Sequence, residues 1–208
     1  MKIFCAIPVL EKMDVRMVNA FYSHAMSSSH QIFLHYEHGD TMISRVRNKQ
    51  MTLFYEGDYD YYFHISSDLE IVSKENIFDK LLSWKKDFIG ALYAPSMEST
   101  FKCTSVLAGD EKDGLFPVKW LSGGCWMLSR SAVKEMVDAN QHLIYDGDRD
   151  MTGKKVYGLF NPFIHDDNGT DLYLSEDWAF CQRWLDLDNE IFADPSIKLR
   201  HWGWKGYE

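Results

Sequence analysis

Positive charge is scarce in this sequence. Lys and Arg number 22 against 31 Asp and Glu, leaving a formal net charge of −9. That balance argues against a nucleic-acid or anionic-membrane surface, both of which need basic patches. Paired cysteines are also missing. Cys5, Cys103, Cys125 and Cys181 are scattered with no C-x-x-C spacing, so neither a zinc site nor a disulfide framework is indicated. Reduced thiols in a reducing compartment fit best. No stretch approaches the roughly 20 apolar residues of a membrane span. The opening run MKIFCAIPVL is too short for a secretory signal and reads as a first strand, so a cytoplasmic location is expected. Without a secretory signal, the sequon Asn168-Gly169-Thr170 reads as a turn. Repeats, low-complexity tracts and obvious linkers are absent. A chain of 208 residues suits one domain with a real core.

Aromatic residues are plentiful. They make up 15% of the chain, including 7 Trp and 11 Tyr. Flat rings with polar tips suit stacking on sugars or bases, and they equally suit a bulky core. Composition leaves both readings open. The acidic balance is compatible with a nucleoside diphosphate if a metal ion bridges the charges.

Periodicity organises the first half. Residues 3–9 form an apolar strand. Met13, Met17, Phe21 and Ala25 then recur every four residues, as on one helical face. Residues 31–36 read as a second strand. Ile43, Val46, Gln50 and Phe54 mark a helix whose other face carries Arg45, Asn48 and Lys49. Residues 61–65 read as a third strand, Ile77, Phe78, Leu81 and Leu82 as a third helix, and residues 88–93 as a fourth strand. Such alternation predicts βαβ units and an α/β domain with a mostly parallel, Rossmann-like sheet flanked by helices. The second half is less regular. Residues 120–128 read as a strand interrupted by Gly123-Gly124, residues 131–139 as a short helix, and residues 177–185 as a helix. Residues 141–171, rich in Asp, Gly and Asn, read as a long loop, a length that usually signals function. The division expected is a nucleotide-binding half over residues 1–95 and an acceptor and donor-sugar half over residues 96–208.

In an open parallel sheet, ligands bind beyond the carboxyl ends of the strands. The D-x-D string is too frequent here to be informative by itself. Asp58 and Asp60 precede a strand, at the wrong end. Asp146, Asp148 and Asp150 start like a calcium loop, yet Met151 and Tyr157 stand where Gly and Glu are needed. Asp186 and Asp188 end a helix. Asp68 and Glu70 differ, because they directly follow the third strand. Two carboxylates there can hold Mn²⁺ or Mg²⁺ against a diphosphate, or Asp68 can cap a turn. Arg45 and Asn48, three apart on a helix, suit phosphate or base contacts or a solvated face. Gly123 and Gly124 suit a close ligand approach or a bulge. In Ser175-Glu176-Asp177-Trp178, Ser175 suits an N-cap, and the acids suit either the helix dipole or a catalytic base. His201 reads as a metal ligand or a surface histidine.

Taken in order, these segments resemble the GT-A class of glycosyltransferases. The opening IPVL strand, the Ser44–Asn48 helix, the strand ending in SSDLE, WLSGGCWMLSR, SEDW and HWGWK fall in the order of that class's motifs. The tail resembles the His-x-Gly-x-x-Lys motif of glycogenin-like enzymes. Nearly the whole chain is covered, and a chlorovirus capsid-glycan enzyme's N-terminal glycosyltransferase domain is similar, which would make this chain a module of a longer protein in a host cytoplasm. The resemblance implies transfer of a hexose from a UDP-sugar to a glycan or glycoprotein acceptor. Ile7, Pro8, Arg45, Asn48, Ser66 and Ser67 would then contact the nucleotide. Asp68, Glu70 and His201 would hold Mn²⁺ or Mg²⁺, with Ser66 or Glu70 as the partner of Asp68. Gly123 and Gly124 would admit the donor sugar, with Gly203 and Lys205 at the phosphates. Asp177, with Glu176 second, would face the sugar or the acceptor, and the glycogenin-like tail leans toward retention of configuration. Two departures stand out: Ser66 occupies the first acid's place, and one residue is missing before Lys205. The competing readings are a sugar nucleotidyltransferase and a non-catalytic sugar-binding module. The first needs a glycine-rich basic loop after strand one, which Pro8–Lys12 lacks. The second does not explain carboxylates at a strand's end.

Overall fold

Alternation along the first strand divides the molecule into layers. In β1 (Lys2–Val9), Ile3, Cys5 and Ile7 join one core and Phe4 and Ala6 join another, because successive side chains leave opposite faces of a strand. The computed structural model describes residues 1–94 and 105–203. In chain order the elements after β1 are α1 (Val15–Ser27), β2 (Gln31–His38), α2 (Ile43–Glu56), β3 (Tyr61–Ile65), β4 (Leu69–Ile71), α3 (Ile77–Ser83) and β5 (Phe88–Ala91). Then come β6 (Val106–Leu107), β7 (Phe116–Trp120), β8 (Cys125–Ser129) and α4 (Arg130–Ala139). The chain continues through β9 (Ile144–Asp146), β10 (Lys155–Tyr157), β11 (Phe163–Asp166), β12 (Asp171–Leu174), α5 (Glu176–Leu185), β13 (Ile191–Asp194) and β14 (Leu199–His201). Helices α1 and α3 cover one face of the sheet through Met17, Phe21, Ile77 and Phe78. Helices α2, α4 and α5 cover the other through Met51, Phe54, Val133, Met136 and Phe180. Three helices start on side-chain caps: Asp14, Asn76 and Ser129 each accept from a first-turn amide, which satisfies donors the helix cannot.

The central sheet has eight strands in the order β2-β1-β3-β8-β5-β13-β7-β6. The α/β class stands, but the mostly parallel sheet is corrected. Pairs β1–β2, β1–β3 and β5–β13 are parallel, whereas β3–β8, β5–β8, β7–β13 and β6–β7 are antiparallel. Strands β7 and β8 run against the other six. Periodicity reports burial and not strand direction, so the reversals left no trace in the pattern. The segment 120–128 is not one interrupted strand. Strands β7 and β8 are separate and not neighbours, and Gly123-Gly124 form the turn that enters β8. Nor is 141–171 a loop. It holds the hairpin β9–β10 and the first strand of the hairpin β11–β12, strands of three or four residues each, too short for a periodic signal.

Reversal of β8 has a positional consequence. Its first residue, Cys125, pairs with Ile65, the last of β3. The turn that opens β8 therefore meets the carboxyl ends of the parallel strands. Strands β5 and β8 approach closely enough that a Cβ on Gly90 would lie 2.6 Å from the Cys125 carbonyl and 2.4 Å from a Leu121 methyl. Gly90→Ala is expected to destabilise the fold by about 1–3 kcal/mol through overpacking. Urea unfolding with an unchanged m-value checks this.

Candidate functional site

One edge of the sheet gathers the loops after β1, β2, β3 and β5 with the turn before β8. Its centre is the peptide of Gly123. The carbonyl accepts from Arg47 Nη2 at 2.7 Å, His64 Nε2 at 2.9 Å and Ser66 Oγ at 3.3 Å. The amide donates to Asp177 Oδ2 at 2.9 Å. A Cβ at Gly123 would stand 2.2 Å from Arg47 Nη1, and one at Gly124 2.3 Å from the Tyr93 ring. A side chain at either position would therefore displace Arg47 or Tyr93; the demand is for space, not for backbone angle.

Arg47 is 5% exposed. A guanidinium that deep needs compensation. It obtains it from the Gly123 carbonyl and from Glu176 Oε1, 3.2 Å from Nη1. Its Nε makes no hydrogen bond, and Nη1 meets Glu176 only as an ion pair out of line for one. These two nitrogens are enclosed, and the residue borders a cleft of about 320 Å³ that also includes Pro8, Ser66, Ser67 and Asp68. Arg47 and Glu176 were not matched as partners by the sequence reading, and Arg47 was not proposed as a ligand contact. A signal existed: Arg47, Gln50, Met51 and Phe54 share the buried stripe of α2, and an arginine on such a stripe marks a buried charge.

Asp177 is fully engaged. Besides the Gly123 amide, its other oxygen accepts from Ser175 Oγ and from the Trp178 amide at 2.8 Å. Ser175 stands at the N-cap position of α5, yet its hydroxyl serves Asp177 and caps no helix amide. Glu176 keeps its carboxylate toward Arg47.

Asp68 sits at the tip of the turn from β3 to β4, closed by Leu69 N to Ser66 O at 3.2 Å. The small strand β14 pairs antiparallel with β4 and brings His201 Nε2 to 3.2 Å from Asp68 Oδ2. The other ring nitrogen contacts the Ala94 carbonyl at 3.2 Å, and Tyr93 packs edge-on. The Asp68 carboxylate raises the pKa of His201. Glu70 does not join this pair. Its carboxylate takes the Trp202 indole N–H at 2.9 Å and lies 3.4 Å from Arg200, because cross-strand pairing sets Glu70 opposite Arg200. Among the described residues, no three His, Cys, Asp or Glu side chains converge as a metal cage. Two protein ligands remain a workable set for Mg²⁺ or Mn²⁺, which commonly take one or two carboxylates and complete their shell with phosphate oxygens and water. Beside Asp68 lies a larger cleft, about 750 Å³, walled by Leu10, Met13, Arg16, Trp202 and Gly203. There the Arg16 guanidinium stacks on the Trp202 ring at 3.2 Å.

Other predicted residues fall elsewhere. The Ile7 side chain is buried in the core. Arg45 turns to Asp40 in a two-bond grip, which holds that carboxyl at a pKa of about 2. Asn48 is buried, and its amide joins Asn161 and the Phe160 amide, each at 2.8 Å. Asp58 and Asp60 bind Lys2 at the opposite edge. Lys205 lies outside the described residues.

The sequence matches no protein-family model and no curated protein. Solved structures do match. The protein A197 from STIV is 13% identical with a TM-score of 0.61, covering 98% of this chain and 86% of its own. That likeness shows a shared fold. A glycosyltransferase involved in the glycosylation of the major capsid of PBCV-1 is 9% identical with a TM-score of 0.39, over 65% of this chain and 63% of its own. No helix among the described residues is long and apolar enough to cross a membrane.

His64 gives the site a pH signature. Burial, and Arg47 beside it, push its pKa well below the ordinary value of 6.5. The native state holds the ring neutral, while the unfolded chain takes up a proton below pH 6.5. Stability is therefore complete above that pH and lost as pH falls toward the folded pKa, by about 1.4 kcal/mol per pH unit. Denaturation between pH 8 and pH 5 should show this loss, and His64→Gln should make the profile flatter.

Proposed function

We propose that this chain is a glycosyltransferase that moves a hexose from a nucleotide-sugar donor, UDP-linked in the first instance, to a glycan or glycoprotein acceptor. The observation that carries the reading is the convergence, at one carboxyl edge, of the Asp68–His201 pair with Arg47 and Glu176 around the Gly123 turn. A sugar diphosphate needs just such a mix: cationic groups for phosphate, a carboxylate near the sugar, and small residues that let the ring approach backbone.

Asp68 and His201 would hold Mn²⁺ or Mg²⁺, which when bound offsets charge on the diphosphate. The chain's own residues supply the rest. Arg47, fixed by the Gly123 carbonyl, would set positive charge at the cleft wall for a phosphate or sugar oxygen. It is preorganised, so little reorganisation accompanies charge development on the leaving group. Glu176 takes the role first read for Asp177. Its carboxylate lies against Arg47, which borders the cleft, whereas both Asp177 oxygens are spent on positioning the turn. Whether Glu176 acts as a base toward the acceptor or stabilises positive charge on the sugar decides inversion or retention. Ser66, Ser67 and Pro8 wall the cleft, and Trp202 offers a ring beside Asp68.

Calorimetric titration of UDP, with and without Mn²⁺, tests the donor site. Binding should require Mn²⁺ and weaken by about tenfold or more in Asp68→Ala. Absence of UDP binding under both conditions would overturn the donor assignment and favour a sugar-binding module.

A further inference from the structure

A second polar groove opens on the far side of the first turns of α2. One part, about 450 Å³, includes Ser44, Arg45, Tyr145, Asp146, Asp148 and Asn161 in its wall. It shares Arg45, Tyr145 and Asp148 with a neighbouring cleft of about 290 Å³. That cleft in turn shares Asp40 and Val46 with the cleft that holds Ser66–Asp68. The three clefts adjoin around the start of α2, the last of them bordered by Arg47.

The groove's floor is held rigid. Asn48 and Asn161 lock their amides together at 2.8 Å, and Arg183 Nη2 fixes the Asn161 carbonyl at 2.8 Å. Asp40 grips Arg45 with both oxygens. Arg149, at the tip of the β9–β10 hairpin, holds a left-handed φ of 51° and reaches to 3.6 Å from Asp40. A non-glycine residue held there is strained, and such strain collects at functional sites. The three aspartates that began like a calcium loop are divided. Asp146 pairs with Lys155 at 2.6 Å and Asp150 with Lys49, while Asp148 lines both parts of the groove.

This lining suits neither a cation nor an anion. Of its carboxylates, Asp40 is met by Arg45 and Arg149, Glu37 and Asp150 by Lys49, and Asp146 by Lys155, so charges of both signs alternate. What remains are fixed planar acceptors and donors around one phenol ring, which fits a neutral polyhydroxylated ligand whose hydroxyls both give and take hydrogen bonds. We infer that this groove is the acceptor site and takes a neutral saccharide chain, with its reactive end directed toward Arg47 and Glu176. The role as acceptor rests on the glycosyl-transfer reading; the saccharide binding does not.

The test is a titration of ¹⁵N-labelled protein, without donor or metal, with neutral gluco-, galacto-, manno- and xylo-oligosaccharides. At least one should shift the amides of residues 144–149 and 161. Tyr145→Ala and Asp148→Ala should each weaken that binding by about tenfold or more, while UDP and Mn²⁺ titrate as in wild type. The unchanged UDP titration also shows that the variants fold. Absence of saccharide shifts in the groove, or equal affinity in both variants, overturns the inference. Saccharide binding in a protein that never binds UDP keeps the groove and removes the transfer reading alone.

Discussion

The edge of this molecule depends on how the Gly123 peptide is held. Its carbonyl takes donors from α2, β3 and the turn after β3, and its amide is held by the first turn of α5. Three stretches of chain distant in sequence, α2, β3 with its turn, and α5, meet at one peptide group. The carbonyl also makes the burial of Arg47 tolerable, since a buried guanidinium without partners would cost several kcal/mol. A side chain at position 123 would push the Arg47 guanidinium from its seat on this carbonyl.

Strand direction makes that meeting possible. With β8 parallel to β3, its entry turn would lie at the opposite edge, among Lys2, Asp58 and Asp60. With β8 reversed, the turn arrives where β1, β2 and β3 end. The short pair β4–β14 then carries His201 to Asp68 and commits Glu70 to Trp202 and Arg200. The same pairing thus builds the Asp68–His201 couple and removes Glu70 from it.

Much of the first half was legible, because β1, α1, β2, α2 and β3 are long enough to repeat their burial period. Strands β4, β13 and β14 have three or four residues each and show no period, although β13 lies inside the sheet. The edge that gathers the loops was readable from Asp68 at the end of an apolar strand. The partners were not. Arg45 and Arg47 look alike in sequence, and only packing decides that one grips Asp40 on the outside while the other is buried under Gly123. Glu176 and Asp177 are adjacent acids on one turn. Their opposite fates, one meeting the buried Arg47 and one fixing a backbone amide, follow from helix rotation, which a four-residue motif does not reveal.

On the proposed function, this edge breaks a sugar–diphosphate bond under the control of Arg47 and Glu176. The most direct measurement is release of UDP from a UDP-sugar panel with Mn²⁺ present, for wild type and Glu176→Gln, with UDP affinity measured on the same samples. The account predicts release by wild type and a fall of about a hundredfold or more in the variant, with UDP affinity retained. Equal release by both proteins would contradict the role of Glu176, and no release from any donor by wild type would contradict the transfer reading itself.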